Sequence, residues 1–300
     1  MYRRESKYDD ARRVYERALA IRTASLGPDH PEVGTTLNNM GTFFSEIGDR
    51  AKAKEVTERA LAIWEKAYGP NSDEIVSAVA NLGEIAMNMG DYDTARKHME
   101  RALSLVEKAQ GKDGTGSIDL LTNLGVLEQE QKHFDKALEV FQRAQKVAEK
   151  AYGPDHTDVA DILANEASIY KNQGKLAESA ELNTHVLRIY EKNFGPDHPR
   201  VGMILSNLGE LNDVRGDHKA ALESFQKSLA IFEGKLGKDH PYVSYPLLGI
   251  GGEMITMNKP AEAIPYLERA LAIRTASNMQ PEQIAEARDK LAEAKKRLGH

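Results

Sequence analysis

Asn81-Leu82-Gly83, Asn123-Leu124-Gly125, Asn165-Glu166-Ala167 and Asn207-Leu208-Gly209 recur in this chain at one interval, and positions 81, 123, 165 and 207 step by 42. Asn39-Met40-Gly41 precedes them and Gly249-Ile250-Gly251 follows in the same step. A fixed period of that size marks a repeat array, in which each period is one supersecondary unit packed on the next. The rest of the chain is phased to it.

Composition agrees. The 300 residues are 41% hydrophobic, enough to bury a large surface, and an array extends where one compact core of this length would divide. The net charge is −6 and the isoelectric point is near 5.9, which argues against a nucleic-acid partner, since phosphate binding needs a basic stripe. The absence of cysteine excludes disulfides and thiolate metal sites and suits a reducing compartment. No run reaches the roughly 18 apolar residues of a membrane span. The charged start Tyr2-Arg3-Arg4-Glu5 has no apolar core behind it, so no signal peptide is read and the expected location is cytoplasmic.

Helical spacing of Ala11, Val14, Tyr15, Ala18, Leu19 and Ile21 matches the second helix of the later units. Residues 1-27 therefore read as the second helix of an incomplete first repeat, either cut from a longer protein or standing as a lone helix that caps the array. Residues 28-279 read as six 42-residue repeats, each a first helix, a tight turn, a longer second helix and a Gly-Pro loop. In the second, Val79, Leu82, Ile85, Ala86 and Met89 make one apolar stripe, Gly90 supplies a helix end and Asp91 can cap the next helix. Gly48-Asp49 and Gly216-Asp217 repeat that chemistry, while Lys132-His133 and Asn258-Lys259-Pro260 do not. Glycines 41, 83, 125, 209 and 251 lie inside helices, where Gly costs roughly 1 kcal/mol against Ala, so their recurrence implies a contact that a side chain would block. Residues 280-300 read as a capping helix with Ile284, Ala287, Leu291, Ala294 and Leu298 on one face.

Leu37, Gly41, Phe44, Ala53 and Ala60, matched by Leu205, Gly209, Ala221, Phe225 and Ser228, resemble the tetratricopeptide (TPR) motif. The long period and the Gly-Pro-Asp-His-Pro loops are similar to those of kinesin-light-chain-like arrays. The resemblance implies an all-α TPR solenoid, a right-handed superhelix of about fourteen helices in antiparallel pairs, with the first helices lining a concave groove.

Four loop histidines, His30, His156, His198 and His240, fall in register. Successive units are too far apart for these side chains to share a metal, so Gly, Pro and Asp are read as turn chemistry, with Pro31, Pro199 or Pro241 opening the next helix. Lys112-Asp113-Gly114-Thr115-Gly116 breaks the loop pattern and is expected to be the most mobile. The basic register Arg17, Arg59, Arg101, Arg143, Lys227 and Arg269 stands beside Glu16, Glu58, Glu100 and Glu268, which reads as a solvated outer face with weak ion pairs.

The asparagine ladder Asn39, Asn81, Asn123, Asn165 and Asn207 needs a reason other than helix propensity. The amide carries a donor and an acceptor and matches a peptide backbone, and the resemblance implies that use; the alternative is a ladder bonding neighbouring helices. Glu46, Glu84, Asp119, Glu130, Asp161, Glu210 and Asp213 are expected around it, with Lys171 as the basic exception. This sign differs from the kinesin light chain groove, which takes acidic cargo. Tyr245, Leu248, Gly252 and Ile255 are expected to make the last unit's groove apolar and to seat an anchor. The expected partner is thus a protein or peptide segment of basic character with an apolar anchor, not a membrane. No acid–base pair, triad, phosphate loop or zinc spacing stands in the context its chemistry needs, so no enzyme, cofactor or metal is read. Two functions follow: an independent peptide-binding scaffold, or the regulatory or oligomerising region of a larger signalling protein, such as a bacterial kinase or signalling ATPase.

Overall fold

A computed structural model describes residues 2–299, with side chains from residue 8; Met1, His300 and the side chains of the charged start lie outside the described residues. Among those described there are helices and no strand. The first half runs α1 (Tyr2–Leu26), α2 (Pro31–Glu46), α3 (Arg50–Tyr68), α4 (Val76–Asn88), α5 (Tyr92–Gln110), α6 (Ser117–Glu130) and α7 (Phe134–Tyr152). The second runs α8 (Thr157–Asn172), α9 (Leu176–Phe194), α10 (Pro199–Val214), α11 (His218–Leu236), α12 (Ser244–Thr256), α13 (Pro260–Ala276) and α14 (Pro281–Leu298). Single 3-10 turns at Asp73–Ile75 and Pro241–Val243 lead into α4 and α12.

The helices form two compact units, Met1–Ala151 and Tyr152–His300. In the first, α2 packs on α3 and α4 on α5; in the second, α8 packs on α9, α10 on α11, α12 on α13 and α13 on α14. First helices also touch the next first helix, α2 with α4, α4 with α6 and α10 with α12. Each unit therefore carries its first helices along one face.

The in-helix glycines explain the pairing. A methyl on Gly125 would stand 2.4 Å from the Phe141 ring, one on Gly83 2.8 Å from Met99 Cγ, one on Gly209 2.7 Å from Phe225 and one on Gly251 2.4 Å from Leu267. Each facing residue lies on the partner second helix, so the large side chain fills the space the glycine leaves. Where the ladder has Ala167 instead, the facing residue is the smaller Asn183, buried and hydrogen-bonded through Nδ2 to the Ser179 carbonyl at 2.9 Å.

Helix ends follow the local chemistry, with one departure from the reading above. His30, His156, His198 and His240 are not idle turn residues: each Nδ1 accepts the amide two residues on, at 3.2 Å, and so caps the next helix. Ser72 does the same for Glu74. Asp49, Asp91 and Asp217 cap the second helices as expected. At the turns that lack glycine, Lys132 (φ 62°) and Asn258 (φ 59°) take the left-handed conformation that Gly90 (φ 79°) takes elsewhere. The pattern-breaking loop is tied by Gln110, whose Oε1 accepts the Gly116 amide at 3.1 Å.

Half of the basic register departs from the expectation, while Arg17, Arg59 and Lys227 are exposed as expected. Arg101 binds Glu65 on the preceding second helix at 2.6 Å and the Pro70 carbonyl at 2.9 Å. Arg143 takes Glu107 and the Lys112 carbonyl, and Arg269 takes Glu233 and the Lys238 carbonyl. These half-buried guanidiniums bridge one helix pair to the loop and helix before it, a geometry that suits the arginine fork better than a solvated pair would.

Candidate functional site

In the second unit, α8, α10 and the start of α12 present hollows that share walls. The first, about 570 Å³, is bounded by Asp161, Asn165, Tyr190, Arg200, Met203, Asn207 and Tyr242. Met203, Asn207 and Tyr242 also bound the next, about 230 Å³, which Phe232 floors and Glu210 and Tyr245 close. Glu210 and Tyr245 lead on to a third of about 280 Å³ with Asp213, Leu248, Arg274, Glu286 and Lys290. Asp161, Asn165, Asn207, Glu210, Asp213, Tyr245 and Leu248, all expected from sequence, thus meet along one groove. Met203 is 45% and Tyr242 42% exposed, so its wall offers accessible apolar surface.

Residues 39 apart pair across neighbouring first helices. Asn81 Nδ2 donates to Thr42 Oγ1 at 3.4 Å and, more closely, to Asn38 Oδ1 at 3.0 Å; Asn123 Nδ2 donates to Glu84 Oε1 at 2.8 Å. Lys171 pairs with Glu210, and Arg200 with Asp161. The ladder is therefore not uniform: Asn81 and Asn123 tie neighbouring helices. Asn39, Asn165 and Asn207 make no side-chain hydrogen bond among the described residues.

The expected charge is also redistributed. Asp161 is held by Arg200 and by the Tyr190 hydroxyl, Glu210 by Lys171 and Glu286 by Arg274. Lys171 thus shares the groove with a second cation, Arg200, which lies over the Tyr190 ring at 5.5 Å and is not among the residues expected from sequence. Burial, then the bond to Asp161, pushes the Tyr190 phenol well above its ordinary value. In the first unit Glu46, Glu84, Asp119 and Glu130 are exposed. Although Glu84 is exposed at the surface, the protein packed around its carboxyl displaces enough water to raise it, the Asn123 bond opposes this and the charge of Asp119 adds to it.

The expected apolar anchor needs correction. Leu248 and Ile255 are core residues, 6% and 4% exposed, because α12 turns them onto α13 and α14; Leu248 reaches only the edge of the third hollow and Ile255 none of the three. The apolar wall is made instead by Met203, Tyr242 and Tyr245.

Beside the third hollow, Asp213 at the end of α10, His218 at the start of α11 and Glu253 of α12 bring their ligand atoms within 4.8 Å of one another. His218 Nδ1 is 3.0 Å from Glu253 Oε2 and 3.6 Å from Asp213 Oδ1. Burial, then the negative Asp213, pushes the Glu253 carboxyl up to about 7, with His218 opposing. The first unit's buried Glu128 behaves oppositely: burial would raise it, but Arg96 and His133 outweigh that and hold it below the usual carboxylate value.

The family model described as tetratricopeptide repeat matches residues 1–66, 74–150, 118–192, 158–234 and 214–276. The chain belongs to the tetratricopeptide repeat family. No curated protein matches it. Three solved structures show how widely the TPR chain's helix pairing is shared. The crystal structure of BtubC (BKLC) from P. vanneervenii is 22% identical, with a TM-score of 0.63 over 77% of this chain and 91% of that one. The apo form of RapI is 11% identical, with a TM-score of 0.61 over 89% and 98%. The Cut9-Hcn1 hetero-tetramer of APC/C is 16% identical, with a TM-score of 0.66 over 94% of this chain and 46% of that one. These likenesses speak to the fold. Among the described residues no helix of the TPR chain is long and apolar enough to cross a membrane.

Proposed function

We propose that this TPR protein is a non-catalytic scaffold whose second unit holds an extended segment of a protein partner. The observation that carries the reading is the groove: Asn165 and Asn207 border one hollow with no hydrogen bond from the described residues, beside the exposed Met203 and Tyr242. Such amides match the C=O and N–H of any extended peptide, while the apolar wall selects a side chain. An aliphatic or aromatic anchor is therefore expected between Met203, Tyr242 and Tyr245. Since the second unit's carboxylates are mostly paired with Arg200, Lys171 and Arg274, the apolar anchor rather than a basic character sets the partner's preference in this groove. RapI and Cut9-Hcn1 support the general reading as TPR-like folds, and Cut9-Hcn1 is itself an assembly with a partner.

A peptide array followed by titration of the best hit tests this. Replacing both Asn165 and Asn207 by Ala removes two bonds worth roughly 0.5–1.5 kcal/mol each, so affinity should fall about fivefold to 150-fold, with an unchanged melting midpoint. If the double variant binds as the parent does, the groove reading fails.

A further inference from the structure

Glu253 stands in a register that every other full repeat fills with an apolar side chain: Phe43, Ile85, Leu127, Ile169 and Leu211. All six positions are buried, Glu253 at 2% exposure. His218 stands in a more mixed register, half-buried where Tyr92, Phe134 and Leu176 fill it and occupied by Arg50 and Pro260 in the first and last full repeats. One core position thus carries a carboxylate, and a half-buried imidazole, His218, and a third metal-coordinating group, Asp213, face it.

Among the described residues Glu253 lacks the arginine partner that the buried Glu128 has. A buried carboxylate needs compensation. Glu128 receives it from Arg96, but among the described residues no lysine or arginine pairs with Glu253, and its neighbours are one imidazole and a second carboxylate. His218 can carry at most one positive charge against the two carboxylates, whereas a dication would match both.

We propose that Asp213, His218 and Glu253 form a binding site for a divalent transition ion. An ion about 2.0–2.2 Å from each donor needs donors about 3.0–3.6 Å apart. The His218–Glu253 and His218–Asp213 separations are 3.0 and 3.6 Å, and no pair of donor atoms exceeds 4.8 Å. One imidazole nitrogen with two carboxylate oxygens suits zinc or manganese, whereas calcium asks for six to eight oxygens. Asp213 also lines the third hollow, which gives the ion a way in and leaves its outer positions to water or to a partner's side chain. The site joins α10, α11 and α12, so the ion would brace the wall of the groove.

The test uses the full chain, freed of metal by chelation and dialysis and titrated calorimetrically with zinc, manganese or calcium chloride. One zinc or manganese ion should bind per chain and raise the melting midpoint, and calcium should not. Glu253→Leu restores the residue of its register and His218→Leu does the same, so both should melt no lower than the parent in chelator while binding the ion at least about tenfold more weakly. Asp213→Asn, at a half-exposed side chain that the core does not need, gives the same reading should either leucine variant fail to fold. The proposal is overturned if neither zinc nor manganese binds the parent at one site, or if the folded variants bind as tightly as the parent does.

Discussion

At the scale of single residues, the glycines make the sharpest contrast. Gly125→Ala places a methyl 2.4 Å from the Phe141 ring, and forcing atoms into a filled core costs about 1–3 kcal/mol. Gly234, exposed in α11, has nothing within 4 Å of an added methyl, and Gly234→Ala should stabilise by up to about 1 kcal/mol through helix propensity. Urea denaturation of the two variants should move the midpoint in opposite directions. Glu128 gives a pH prediction of definite sign. Its folded value lies below the ordinary 4.5, so its contribution is present above about pH 4.5 and is lost as pH falls through the lower folded value. Glu128→Gln should therefore melt earlier than the parent at pH 7, and the gap should narrow in acid. A gap that stays constant from pH 7 to 3 would show that the Arg96 pairing does not stabilise the fold.

At the scale of the helix and its turns, the same left-handed corner is built by different residues. Lys132 holds φ 62°, a conformation that costs most side chains roughly 1–2 kcal/mol and glycine almost nothing. Lys132→Gly should raise stability by about 0.5–1 kcal/mol, the larger gain being reduced by the freer unfolded chain; a lower melting midpoint would show that the lysine side chain makes a contact worth more than the strain. This turn could not be read from Lys132-His133, because the conformation there is imposed by the two helices it joins. The helix caps were half legible: the Asp caps were read from sequence, whereas the His caps were seen only as loop residues, since histidine is uncommon in that role. The glycine contacts were legible because a Gly that recurs inside a helix has few explanations. The pairs Asp161–Arg200 and Lys171–Glu210 were not. They join residues 39 apart, three short of the period, and that offset is set by how neighbouring first helices lie against each other. Searching the chain at 39 as well as at 42 would have found them. The Asp213, His218 and Glu253 cluster was hidden for a related reason: Glu253 lies 35 residues from His218 and shows itself only as a charged residue in an apolar column.

At the scale of the whole molecule, the repeated Arg clamps bear on how such a chain can change its length. Arg101 and Glu65, Arg143 and Glu107, and Arg269 and Glu233 are each 36 residues apart, so the junctions are interchangeable parts. Excising residues 66–107 removes one period and sets Arg143 the same 36 residues from Glu65, with a carboxylate again waiting for it. The shortened protein should fold cooperatively with a lower melting midpoint, as nearest-neighbour stability in a repeat array requires; a molten product in calorimetry would show that the junctions are individually fitted. A gene carrying such blocks can misalign with its own copy during recombination and still encode a folded protein. Duplication and loss of a repeat then become small evolutionary steps, and the number of repeats becomes a trait that varies more readily than the fold.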